Sequence, residues 1–337
     1  MTKPTDNTTS LQIPAFTLED STLLPAQSRE AIQRYRDYQR QLISTAATMP
    51  SDPVAFRHQA HQLFYQGPLY ASLIARYAAT ATTETLAGVE CEVFLPAEGI
   101  AQANTNRVLI NLHGGSFENG THTNSVLESL PVAALGKIKV ISIDYRKAPE
   151  HRFPAATDDV EAVYTALLAD YKPEHIGIYG ASAGAILTAQ TLVRLQQRKQ
   201  PLPAAIGLLA EGATYIDIGD SLTIGDALSQ ASLGFGVKEA IQQLRYYQGV
   251  DLASPEVTPC QSDALLSAFP PTLLASSTRD FALSQTITTH RHLLKLGVPA
   301  ELHIWEGLDH VFHYNPDLPE TDELHREVVR FFNQHLE

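Results

Sequence analysis

Apolar residues recur along this chain with two different periods. Before about residue 80 they return every three or four positions. Residues 26–44 set Ile32, Tyr35, Leu42 and Ile43 on one side of a helix, and residues 52–65 set Phe56, Ala60, Leu63 and Phe64 on one stripe of another. The second opens on Ser51-Asp52-Pro53, a capping side chain followed by proline at the first helical position. From about residue 84 short apolar runs take over. Val108–Leu112, Val140–Ile143, Ile176–Tyr179, Ala205–Leu209, Thr272–Ala275 and Leu302–Trp305 read as strands. Helical patterns cover 155–169, 183–197 and 284–296, and a last helix over 321–336 carries Leu324, Val328, Phe331 and Phe332 on one face. This alternation implies right-handed crossovers: an α/β fold with a mostly parallel central sheet flanked by helices. Thr85–Leu95 alternates Val89, Cys91 and Val93 with Glu90 and Glu92, which predicts an antiparallel strand at the sheet edge.

One stretch breaks the rhythm. Residues 212–250 should hold a single crossover but are longer and helix-rich. With the N-terminal helices they are the candidates for a lid over the C-terminal edge of the sheet, where open α/β sheets place their ligand sites. The expected organisation is a helical cap segment over 1–80 and a catalytic domain over 81–337, with 212–250 as a second cap segment. The polar first 15 residues or so are expected to fray.

Candidate chemistry begins at Gly180-Ala181-Ser182-Ala183-Gly184, a G-x-S-x-G motif between a strand and an Ala-rich helix. A serine hydroxyl can protrude at such a turn only in a strained backbone, and bulky neighbours two residues away on either side would collide. The helix that follows points positive potential at developing negative charge. His113-Gly114-Gly115-Ser116 directly follows the strand Val108–Leu112. Its glycines let backbone N–H groups approach a substrate oxygen, and the N–H of Ala183 would join them.

The serine needs a base, and the base an orienting carboxylate. Of thirteen histidines, His310 lies in a turn just beyond the last predicted strand, on the same edge as Ser182, with His313 as the nearest rival. His290, His292 and His303 fall inside a helix or strand and read as packing or surface residues. Asp280 follows the strand Thr272–Ala275 and precedes a helix, so it reads either as the acid or as a helix cap; Asp309 and Glu306 are the fallbacks. The order Ser182, Asp280, His310 is the one this architecture uses.

Composition narrows the partners. The 337 residues are 44% hydrophobic and 18% charged, enough for one large core. The net charge of −13 repels phosphate backbones and anionic lipid, so nucleic acid is not expected as a partner. No window approaches the ~18 apolar residues of a membrane span, and the polar start does not resemble a secretory signal. Cys91 and Cys260 fit no metal spacing and read as reduced thiols of a cytoplasmic protein, with a single disulfide as the alternative.

Taken together, HGGS (113–116), the run Tyr145-Arg146-Lys147-Ala148-Pro149-Glu150-His151-Arg152-Phe153-Pro154-Ala155-Ala156, GASAG (180–184), Pro270-Pro271-Thr272, Asp280 and His310-Val311-Phe312 resemble the hormone-sensitive-lipase-like carboxylesterases, the family IV bacterial lipolytic enzymes. The resemblance spans about residues 85–335. It implies an α/β-hydrolase core, a two-part helical cap, hydrolysis of short-acyl esters, and neither a metal nor an organic cofactor; it also allows a homodimer. By position it implies a triad of Ser182, Asp280 and His310, with oxyanion donors at Gly114, Gly115 and Ala183 and a further one at Ser116. It implies that the stretch around Arg146 and Glu150 braces the active-site loops by buried hydrogen bonds. This chain departs from the family in having Ser116 at the third glycine of the HGGG loop, and Ala181 where Asp or Thr is common. Both departures bear on substrate preference.

Three other readings compete. A lactone, carbamate, acylated sugar or amide could replace the simple ester with the triad unchanged. A non-catalytic receptor, as the gibberellin receptor is on this fold, would lack the histidine that is present here. Metal-assisted hydrolysis would use His58 with His61 or His310 with His313, but no carboxylate-rich motif accompanies either pair. For the pocket wall, Phe56, Phe64, Tyr65 and Phe117 are candidates.

Overall fold

The computed structural model describes residues 15, 17–214, 219–242 and 244–337; the start that was expected to fray lies almost wholly outside them. Three helices open the fold: α1 (Ala26–Ala46), α2 (Pro53–Gln66) and α3 (Pro68–Arg76). Asp52 caps α2 by accepting from the Ala55 amide at 2.8 Å. The strand–helix region follows as β1 (Ala79–Leu86), β2 (Val89–Pro96), β3 (Val108–Leu112), α4 (Asn124–Gly136), β4 (Lys139–Ile143), α5 (Ala155–Leu167), β5 (Ile176–Ala181), α6 (Ala183–Gln197) and β6 (Ala205–Leu209). Next come α7 (Asp220–Leu233), α8 (Val237–Gln242), α9 (Asp263–Leu266), β7 (Thr272–Ser277), α10 (Leu283–Lys295), β8 (Ala300–Trp305) and α11 (Pro319–His335).

The eight strands form one sheet in the order β1-β2-β4-β3-β5-β6-β7-β8. The β1–β2 and β2–β4 pairs are antiparallel and the others parallel. The parallel register aligns Leu112 with Gly180, Ala181 with Leu209, Leu209 with Ala275, and Ser277 with Trp305. The loops after β3, β5, β6, β7 and β8 therefore all open on one edge. Apolar side chains from both faces form two clusters, one on each side of the sheet. On one side α11 lies close against the strands because β5 and β6 carry glycines beneath it. A Cβ at Gly177 would fall 2.5 Å from the Phe332 ring.

The edge expected over Thr85–Leu95 is instead a hairpin. The alternation belongs to β2 alone, and the chain turns at Ala87 and Gly88, both with positive φ, into the outermost strand β1. Six of the eight β1 residues are exposed, so no buried face marks that strand in the sequence. Helix α4 was also missed. Ten of its thirteen residues are buried, so it shows no polar face and no 3.6-residue period. Among the described residues no helix is long and apolar enough to cross a membrane. Cys91 and Cys260 are both free.

Candidate active site

Ser182 sits between β5 and α6 with φ 53° and ψ −121°, and its amide donates to Leu209 O at 2.8 Å. A non-glycine residue in that left-handed region stores on the order of 1–2 kcal/mol of strain. The flanking glycines are required by contact. A Cβ at Gly184 would lie 1.6 Å from Leu112 O, and one at Gly180 would lie 2.4 Å from it. The turn is therefore wedged against the end of β3, and its side chain has only the open edge to face.

His310 reaches this serine from the loop after β8. Its Nε2 is 3.0 Å from Ser182 Oγ, and its Nδ1 is 2.7 Å from Asp280 Oδ1. With the ring proton on Nδ1 and shared with Asp280, Nε2 is left to accept from the hydroxyl. Asp280 is buried and tightly held: Oδ1 also accepts from the Ala282 amide at 2.9 Å, and Oδ2 from Ser276 Oγ at 2.8 Å. The loops bearing acid and imidazole are laced together, since Ser277 Oγ donates to Leu308 O and the Gly307 amide to Thr278 Oγ1, both at 2.7 Å. The rivals point elsewhere. Asp309 pairs with Arg36, Glu306 accepts from Ser21, and His313 is buried with Nε2 unpartnered. Burial, then the neighbouring His325 and His310, drives His313 well below the usual histidine range, so it is a neutral packing group. His61 stacks on His122, and among the described residues no group of three or more His, Cys, Asp or Glu is placed to hold a metal.

The loop expected to bind the oxyanion, His113–Ser116, needs one correction. Gly114 was expected to donate to substrate, but its amide donates to Glu128 Oε1 at 2.8 Å and is already engaged. Its missing side chain serves a close approach instead: a Cβ there would fall 2.5 Å from the Tyr314 hydroxyl. Gly115, Ser116 and Ala183 line the cavity beside Ser182, and among the described residues their amides have no protein acceptor. Gly115 takes φ 125° and Ser116 takes φ 57°. Ser116 thus holds a conformation suited to the glycine it replaces. Ser116→Gly is expected to raise unfolding free energy by about 0.5–1 kcal/mol in denaturant melts, with hydrolysis retained. A lowered stability would show that the serine is not strained.

The loop is braced from behind by the stretch around Arg146 and Glu150, through its Tyr145 and Ala148. Tyr145 donates to His113 O at 2.6 Å and stacks on the His113 ring, and the Ala148 amide donates to Phe117 O at 2.8 Å. Arg146 and Glu150 themselves form partly exposed ion pairs, with Asp159 and Arg57 respectively. Farther out, Glu118 receives Arg245 Nε at 2.9 Å on its carboxylate and Arg57 Nη1 at 3.1 Å on its carbonyl.

A cavity of about 340 Å³ opens over Ser182 and His310. Gln39 of α1, Leu228 and Leu233 of α7 and Ile241 of α8 wall it from above. Phe281 lies against the His310 ring, centroids 4.0 Å apart. Phe117 borders the cavity as expected; Phe56, Phe64 and Tyr65 do not. Phe64 and Tyr65 pack with Tyr70 instead. Two buried acids carry no motif and escaped sequence reasoning. Glu211, just past β6, lines the cavity; burial, then the charge of Asp280, raises its carboxyl well above the usual range. In Glu128 burial pushes the carboxyl up to about 7, against hydrogen bonds from Gly114, Tyr314 and Asn111.

Known proteins show the same arrangement of chain. The family model described as alpha/beta hydrolase fold matches residues 109–314. An acetyl-hydrolase of Streptomyces hygroscopicus is 32% identical over 221 residues, covering 64% of this chain and 71% of that protein. An esterase of Acinetobacter venetianus is 29% identical over 258 residues, covering 73% and 79%. Among solved structures, an esterase superposes with a TM-score of 0.81 at 30% identity, over 97% of this chain and 99% of that one. An esterase from the bacterial hormone-sensitive lipase family gives 0.76 at 26% identity, over 91% and 99%. The chain belongs to the α/β-hydrolase family, among the hormone-sensitive-lipase-like carboxylesterases.

Proposed function

We propose that the protein hydrolyses short-acyl carboxylic esters through an acyl-enzyme on Ser182. The observation that carries this reading is one imidazole within hydrogen-bond reach of both Ser182 Oγ and Asp280, at the floor of a cavity. In the first half-reaction Ser182 Oγ attacks the ester carbonyl and its proton passes to His310 Nε2. Asp280 stabilises the imidazolium. The amides of Gly115, Ser116 and Ala183 receive the oxyanion, each such donor lowering the barrier by about 3–4 kcal/mol. The leaving alcohol takes the proton back from Nε2, and water then repeats the route to free the acid. Helices α1, α7 and α8 cap the site. They leave a cavity near the low end of the usual ligand range, which favours short acyl groups.

The test is mass mapping of the residue modified by a fluorophosphonate, joined to a series of p-nitrophenyl esters of rising chain length. Modification at Ser182 and a decline beyond short chains are expected; modification elsewhere sinks the proposal. A panel of lactones and acylated sugars separates substrates that share this chemistry. Because every proton is handled by side chains, activity is expected to survive dialysis against EDTA. Loss that zinc restores would favour a metal mechanism.

A further inference from the structure

Glu128 lies within α4 and is 1% exposed, yet it touches the roots of three loops on the catalytic edge. Its Oε1 accepts from the Gly114 amide at 2.8 Å and from the Tyr314 hydroxyl at 2.6 Å. Oε2 accepts from Asn111 Nδ2 at 2.8 Å, near the end of β3, and Asn111 in turn accepts from Ser142 Oγ at 2.7 Å. The Glu128 carbonyl accepts from Tyr179, three residues before Ser182, at 3.1 Å. One oxygen is thus shared by the oxyanion loop and by a residue four positions past His310.

A buried carboxylate satisfied by three donors is a rigid node, because displacing any partner leaves a polar group without water to replace it. Gly114 has no Cβ at the point where Tyr314 meets this oxygen, so the loop itself is shaped to admit the contact. We infer that Glu128 is a positioning residue that fixes the oxyanion loop relative to the His310 loop, so that donors and base meet the same substrate atom. This rests on the serine-esterase reading above. Glu128 touches no reacting atom. It acts through Gly114, whose fixed amide sets where Gly115 and Ser116 point, and through Tyr314, which anchors the segment after the imidazole.

Glutamine at 128 keeps the shape but offers one acceptor to three donors. Wild type and Glu128→Gln are first titrated with a fluorophosphonate to count reactive sites, and kcat and KM for p-nitrophenyl butyrate are then measured per labelled site. A fall in kcat of about 10- to 100-fold is expected, the scale of a misplaced catalytic geometry. KM should stay within about threefold, since ground-state binding is not what the node controls. Tyr314→Phe, which removes one donor, should lower kcat by about 3- to 10-fold. The double variant should lose less than the product of the single losses, as residues sharing one network do. Wild-type kcat per site in Glu128→Gln overturns the inference, whatever happens to the melting temperature. Should that variant fail to fold, an unchanged kcat in Tyr314→Phe overturns it instead. Wild type that does not label at Ser182 removes the esterase reading beneath it, which is a separate and visible failure.

Discussion

Ser182→Ala is expected to lose p-nitrophenyl butyrate hydrolysis by about 10⁴-fold or more in kcat while remaining folded. The variant keeps the cavity, the engaged Asp280–His310 pair and the loop amides, so binding and oxyanion stabilisation persist without an attacking atom. Residual turnover should show no burst and no covalent labelling. The same site stores strain, since Ser182 holds φ 53°. Ser182→Gly should therefore be inactive too, yet more stable than wild type by about 0.5–1 kcal/mol in chemical denaturation. Activity above about one hundredth of wild type in the alanine variant would strip Ser182 of its assigned role. A glycine variant less stable than wild type would remove the strain argument alone.

Asp280→Asn is expected to lower kcat by about 10³-fold, less than loss of the nucleophile. Asparagine fits the carboxylate's volume. Its oxygen can stay on His310 Nδ1 and the Ala282 amide, while its NH₂ faces Ser276 Oγ, which can accept as readily as it donates. The ring proton then remains on Nδ1 and the imidazole keeps its orientation. What disappears is the negative charge beside the developing imidazolium. Adding Ser276→Ala removes the partner that fixes the asparagine's orientation, and should deepen the defect by a further several-fold. Wild-type kcat in Asp280→Asn would show that the charge is not used.

Most strands that bear the site were legible because β3, β5, β6 and β7 are buried on both faces, while β8, at the sheet edge and only partly buried, was marked by its short apolar run beside a helix of clear period. β3, β6 and α6 have the limits expected from the sequence, and β5, β7 and β8 extend them by two residues. Once those strands were placed, Ser182, Asp280 and His310 fell after strands that end on one edge. Their contact in the structure follows from that order. What stayed hidden has a common cause. Helix α4 is buried all round, β1 is exposed on both faces, and neither shows a period to read. Glu128 and Glu211 are single acids whose partners are main-chain amides or side chains distant in sequence, and no spacing records such partners. Gly114 was assigned to substrate because a glycine in that loop looks like any other. The structure tells it apart from Gly115 by the Glu128 carboxylate 2.8 Å from its amide.

Glu118 bears on how acyl scope could be re-engineered. It stands two residues beyond Ser116 in the loop after β3, with its carboxylate held by Arg245 and its carbonyl by Arg57 of α2. A chimera that exchanges 212–250 for the equivalent stretch of a relative also exchanges Arg245. A donor sequence without a cation there strands an anion two residues from Ser116, so the graft would disturb turnover as well as chain-length preference. Boundaries drawn to retain Arg245, or a paired Glu118→Gln change, would let the two properties be varied apart.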